Sequence, residues 1–91
     1  MGILDPAAVD AGLAGSAWER QGDEIVRRWK GRDFAAAMVF VNHVASLAEE
    51  MGHHPDIDIR WNEVTLRLTT HDAGGLTAAD LALARRIDAS A

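Results

Sequence analysis

From Asp56 to Thr69 the chain alternates with a period of two. Ile57, Ile59 and Trp61 interleave with Asp56, Asp58 and Arg60; Val64, Leu66 and Leu68 interleave with Glu63, Thr65, Arg67 and Thr69. Successive strand side chains point to opposite faces, so each run buries one face and wets the other. Two such runs back to back predict an antiparallel hairpin. A turn at Asn62-Glu63 sets Trp61 against Val64, Ile59 against Leu66 and Ile57 against Leu68. On the polar face Asp58 then meets Arg67 and Asp56 meets Thr69. Carried two steps further, this register puts His71 opposite His54, with Cα atoms about 4.5–5.5 Å apart.

The remaining elements follow from punctuation and spacing. Asp5-Pro6 is a helix start, followed by Val9 and Leu13 and ended by Gly12 to Gly15. Trp18-Glu19-Arg20 and Glu24–Lys30, separated by Gln21-Gly22-Asp23, read as a first hairpin. Asp33 precedes an unbroken helical pattern from Phe34 to Met51, where Phe34, Met38, Val41 and Ala45 recur at spacings of three and four, and Gly52 ends it. Ala73-Gly74-Gly75 requires a turn with positive φ. Leu76-Thr77 opens a last helix through Ile87, and Thr77-x-x-Asp80 fits a capping box. The order α-β-β-α-β-β-α predicts an α+β fold: a four-stranded antiparallel sheet with three helices packed on one face.

Composition narrows the functional classes. With 91 residues the chain makes one domain, residues 1–91, burying roughly 60–65% of the surface it would expose unfolded. Nine Lys and Arg against fourteen Asp and Glu leave a net charge of −5, which argues against direct nucleic-acid binding. The lack of cysteine removes disulfides, thiolate nucleophiles and thiolate metal sites. No apolar run reaches the ~20 residues of a membrane span, and no signal peptide is apparent at Met1–Pro6. A cytoplasmic protein is expected.

The chemistry-bearing residues fall into one pattern, Glu49-x3-His53-His54-Pro55-x5-Trp61-x9-His71-x8-Asp80. Imidazole is the side chain best matched to proton transfer near neutral pH, and the hairpin register gathers His53, His54 and His71 at its open end. Each residue also has a plainer reading. Glu49 sits four before His53, an ordinary helical pair. Asp80 has the capping role, and Trp61 ends a strand on the apolar face. Pro55 forces His54 into extended backbone and fixes the strand entry. His43 lies mid-helix as a surface or packing histidine. Zinc or iron would need joint ligation, but His53 and His54 are consecutive and point apart in extended backbone, so no metal is expected. Ser16, Ser46 and Ser90 lack a nucleophile-elbow context.

The same pattern resembles the signature of the pterin-4a-carbinolamine dehydratases. The likeness runs through the Trp18 hairpin, Lys30-x2-Asp33-Phe34, Phe40-Val41-Asn42 and Thr70-His71-Asp72-Ala73-Gly74-Gly75-Leu76-Thr77. Trp61 stands where that family often carries tyrosine, so an aromatic is kept. The resemblance implies the same fold and a reaction that removes water from 4a-hydroxytetrahydropterin to give quinonoid dihydropterin. That reaction recycles the cofactor of aromatic amino acid hydroxylases. It implies His53, His54 and His71 as the acid–base groups, with neither the acid nor the base assigned. Glu49 and Asp80 would orient imidazoles or hold pterin amino groups, with Pro55 and Trp61 supporting the site. Pterin is the substrate, and no cofactor is implied. The other class of function on this fold is non-catalytic, a protein-interaction or assembly factor. An exposed sheet edge predicts a homodimer or dimer of dimers, and a hydroxylase is a candidate protein partner.

Overall fold

The computed structural model describes residues 2–90, so the two end residues of the expected domain lie outside the described residues. Helix α1 (Pro6–Leu13) starts where Asp5 Oδ1 accepts from the Ala8 N–H at 2.8 Å. Strands β1 (Glu19–Gln21) and β2 (Glu24–Lys30) form the first hairpin. Helix α2 (Phe34–Met51) is capped by Asp33, whose Oδ1 accepts from the Ala36 N–H at 2.8 Å. Strands β3 (Asp56–Arg60) and β4 (Glu63–Leu68) form the second hairpin. A single 3₁₀ turn (His71–Ala73) leads to helix α3 (Ala78–Ser90). The expected order and the four-stranded antiparallel sheet are present, with spatial order β1-β2-β4-β3.

One sheet face carries the core. Ile25, Val64, Leu66 and Leu68 pack with Val9 and Leu13 of α1, Ala37, Phe40, Val44, Leu47 and Ala48 of α2, and Leu83, Ala84 and Ile87 of α3. Trp29 stacks flat on Phe40 at 4.4 Å. Arg27 shares that face and would be costly there alone. Its guanidinium donates to Asp88 Oδ1 at 2.6 Å, and the same carboxylate oxygen accepts from the Trp18 indole N–H at 2.9 Å. The end of α3 is thereby tied to the first hairpin.

The second hairpin differs from the expected register by two residues. Asp56 faces Arg67, Ile57 faces Leu66, Ile59 faces Val64, and Arg60 faces Glu63, so the turn is Trp61-Asn62 and not Asn62-Glu63. A shift of two preserves side-chain parity, so the apolar face survives while every pair changes. Asn62 decides the matter. Its Nδ2 donates to the Gly31 carbonyl at 2.8 Å, and its own carbonyl accepts from the Gly31 N–H at 2.8 Å. Trp61 is left at the turn with φ of 50° and 65% of its surface exposed, not on the apolar face as expected. The expected Asp58–Arg67 pairing is absent. Arg67 bonds Glu24 at 2.8 Å, and Asp58 bonds Arg60 of its own strand at 3.3 Å.

Candidate active site

The end of α2 determines where His53 sits. Gly52 takes the left-handed conformation, φ 61°, which few side chains tolerate. Its N–H donates to Glu49 O at 3.3 Å while the His53 N–H donates to Ala48 O at 3.1 Å. These two bonds make a Schellman motif, so the backbone of His53 is locked as the helix stops. His54 follows, and Pro55 leads into β3. On the other side, the Thr70 carbonyl accepts from the N–H groups of Ala73 and Gly74, both at 3.0 Å, and Gly74 has φ 77°. That closed turn carries His71. The expected His54–His71 ladder pairing does not occur, because β3 begins at Asp56 and β4 ends at Leu68. The histidines meet through two helix-type turns and not through the sheet.

Gly52, His53, His54, Thr69, Thr70, His71 and Asp72 line one pocket of about 220 Å³. Ligand pockets usually start near ~300 Å³, so this recess grips part of a small molecule without enclosing it. A larger groove of about 560 Å³ runs beside the first half of α2, over Trp29, Val39 and Phe40. It holds one histidine, His43, which bonds Ser90 at 2.8 Å. The smaller pocket carries more acid–base chemistry.

Two of its imidazoles are paired with carboxylates, in unlike surroundings. His53 Nε2 lies 2.5 Å from Asp80 Oδ1, and Asp80 is 0% exposed. A buried carboxylate needs several donors, and Asp80 has them: Oδ2 accepts from the Thr77 N–H at 2.9 Å and the Thr70 hydroxyl at 2.8 Å. Asp80 therefore caps α3 and holds His53 at once, more than the capping role read from its spacing. Glu49 is not the helical partner of His53. The chain leaves the helix at Gly52, and Glu49 Oε2 instead lies 2.5 Å from His54 Nε2. That pair is solvent-facing, with side chains 76% and 60% exposed, so it adds little stability. His71 is exposed, and no carboxylate bond reaches it among the described residues.

The five residues Glu49, His53, His54, His71 and Asp80 thus gather at one end of the domain. Pro55 adjoins them, while Trp61 lies at the far, turn end of the hairpin and does not line the pocket. Thr69, Thr70 and Asp72 also line it, though the sequence reading gave them no role in the site. The signal for Thr70 was its place immediately before His71. Among the described residues, no cluster of three or more histidine, aspartate or glutamate side chains is arranged to hold a metal ion.

Fold and pocket together define a small α+β domain with a histidine-lined, carboxylate-backed recess at one end of its sheet. The family model described as "Pterin 4 alpha carbinolamine dehydratase" matches residues 3–90. A Thermomicrobium roseum protein provisionally named pterin-4-alpha-carbinolamine dehydratase is 54% identical over 88 residues, covering 96% of this chain and 95% of its own length. A Chloroflexus aurantiacus protein with the same provisional name is 62% identical over 71 residues, 78% of this chain and 76% of that one. The chain belongs to the pterin-4a-carbinolamine dehydratase family. Among solved structures, a transcriptional coactivator/pterin dehydratase from Brucella melitensis superposes with a TM-score of 0.90 at 30% identity, covering 97% of both chains. A pterin dehydratase-like protein identified as a RuBisCO assembly factor in the alpha-carboxysome superposes at 0.68 and 29% identity, covering 82% of this chain and 89% of that one. No helix among the described residues is long and apolar enough to cross a membrane.

Proposed function

We propose that this protein removes water from a 4a-hydroxytetrahydropterin, giving quinonoid dihydropterin, and so recycles the pterin cofactor of aromatic amino acid hydroxylases in the cytoplasm. The observation that carries this reading is the convergence of His53, His54 and His71 on one pocket, with carboxylates behind two of them. The C4a hydroxyl shares its carbon with a ring nitrogen, whose lone pair expels it once the departing oxygen is protonated. A second group removes a ring N–H proton. Imidazoles suit both tasks near pH 7, and the reaction needs no metal or cofactor. Because such an adduct already decomposes in water, an acceleration of ~10²–10⁴ from positioned acid–base groups is sufficient.

His53→Ala and His71→Ala are each expected to lower the dehydration rate by about 10²-fold with the fold intact. Near-wild-type turnover in both would remove the catalytic assignment.

A non-catalytic assembly or interaction role is the second reading, favoured by the likeness to the carboxysomal assembly factor. Titration with a reduced-pterin analogue separates the two. Binding that is lost in His54→Ala supports the enzyme; no measurable binding by the wild type supports the scaffold. In either case the domain acts as one unit that pairs with itself, because β3 is an edge strand with Ile57 exposed.

A further inference from the structure

His53 is the one pocket imidazole whose carboxylate partner is buried, and a chain of hydroxyls stands behind that partner. We propose that Thr70 is a positioning residue: its hydroxyl holds Asp80 in the orientation by which that carboxylate sets the tautomer of His53, leaving Nδ1 as the basic nitrogen that faces the substrate. The proposal rests on the dehydratase reading of this pocket and assigns the base within it.

The chain has a direction. Thr70 Oγ1 lies 2.8 Å from Thr77 Oγ1 and donates to Asp80 Oδ2 at 2.8 Å. A hydroxyl has one proton, so with Thr70 committed to Asp80 the proton between the threonines comes from Thr77. Thr77 Oγ1 can give it, because the oxygen itself accepts from the Ala79 N–H at 3.3 Å. Asp80 Oδ2 also takes the Thr77 N–H at 2.9 Å, which leaves Oδ1 for His53 Nε2 at 2.5 Å. A carboxylate only accepts, so Nε2 carries the hydrogen and the neutral ring has its lone pair on Nδ1. Among the described residues no protein group hydrogen-bonds Nδ1, and His53 lines the pocket. Nδ1 is thus the nitrogen available to take a ring N–H proton from a bound pterin.

Thr70 also joins the two sides of the pocket. Its backbone closes the turn that carries His71: the carbonyl accepts from Ala73 and Gly74, and the N–H donates to Gly75 O at 3.1 Å. Its side chain reaches the carboxylate that holds His53. One residue therefore fixes the relative placement of two histidines from different elements.

The test uses ¹⁵N-labelled protein and long-range ¹H–¹⁵N correlation of the histidine rings, beside dehydration kinetics, for wild type, Thr70→Val and Thr70→Ser. Thr70→Val keeps shape but removes the hydroxyl; Thr70→Ser restores it. We expect a single Nε2–H tautomer at His53 in wild type and Thr70→Ser, and mixed tautomers in Thr70→Val. Turnover in Thr70→Val should fall roughly 10-fold with the pterin KM little changed, as when other orienting partners are lost, and Thr70→Ser should recover it. Unfolding curves confirm that all three fold. A single Nε2–H tautomer in Thr70→Val, or an Nδ1–H tautomer in wild type, overturns the proposal. If wild type shows the expected tautomer but no turnover, the dehydratase reading falls while the role of Thr70 in orienting His53 stands.

Discussion

Asp80 performs two tasks with one carboxylate. Oδ2 takes the N–H of Thr77, the residue before α3, and the Thr70 hydroxyl, and Oδ1 takes His53. Removing it leaves buried donors without a partner, so Asp80→Ala should lower unfolding free energy by about 2 kcal/mol, read from urea denaturation. A loss well under half of that would mean water replaces the carboxylate and the network is not stabilising. Trp61 is the converse case. A non-glycine residue at φ 50° costs energy that its largely exposed ring does not recover within the chain. Trp61→Asn should therefore raise stability by about 0.5–1 kcal/mol, because asparagine tolerates this conformation. A drop in its urea midpoint would show that the indole packs on something that stabilises it. The sequence pattern placed His53, His54 and His71 together, as the pocket lining does, yet it added Trp61, which lies at the far turn, and paired Glu49 with the wrong histidine. Helical spacing predicts His53 as the partner, but a left-handed Gly52 turns the chain and delivers His54 instead.

The elements were not equally legible. Helix α2 follows its predicted limits, Phe34 to Met51, because an Asp33 cap, a regular apolar spacing and a terminating Gly52 are all local signals. The second hairpin was legible in type and in face but not in register. Two registers two residues apart bury the same side chains, so alternation cannot choose between them. The choice is made by Asn62 bonding Gly31 across a sequence gap of 31 residues, and no local pattern announces that contact. Asn62→Ala should cost about 1–2 kcal/mol, measured as a lower urea midpoint with unchanged slope. An unchanged midpoint would mean that the β2–β4 ladder alone fixes the turn.

At the scale of the molecule, one apolar sheet face is covered by three helices, and β1 and β3 form the two edges of the sheet, with Ile57 exposed on β3. An exposed edge strand is a template for pairing, and Asp58 and Arg60 supply opposite charges along it. Sedimentation should find self-association that Ile57→Lys weakens by at least about tenfold, since a charge would enter the paired edge. A monomeric wild type, or a variant that associates equally well, would locate any interface elsewhere. The inward-facing Arg27 and its bond to Asp88, between residues 61 apart, could not be read from sequence, because period-two reasoning gives a charged residue to the solvent. The family and the fold were both legible, since the motif residues act through short, fixed turns.

The most direct measurement is a stopped-flow assay of wild-type protein with chemically generated 4a-carbinolamine. Dehydration should run ~10²–10⁴ times faster than in buffer, and His53→Ala should abolish most of that gain. A rate equal to buffer, or an undiminished gain in His53→Ala, would contradict histidine-driven loss of water in this pocket.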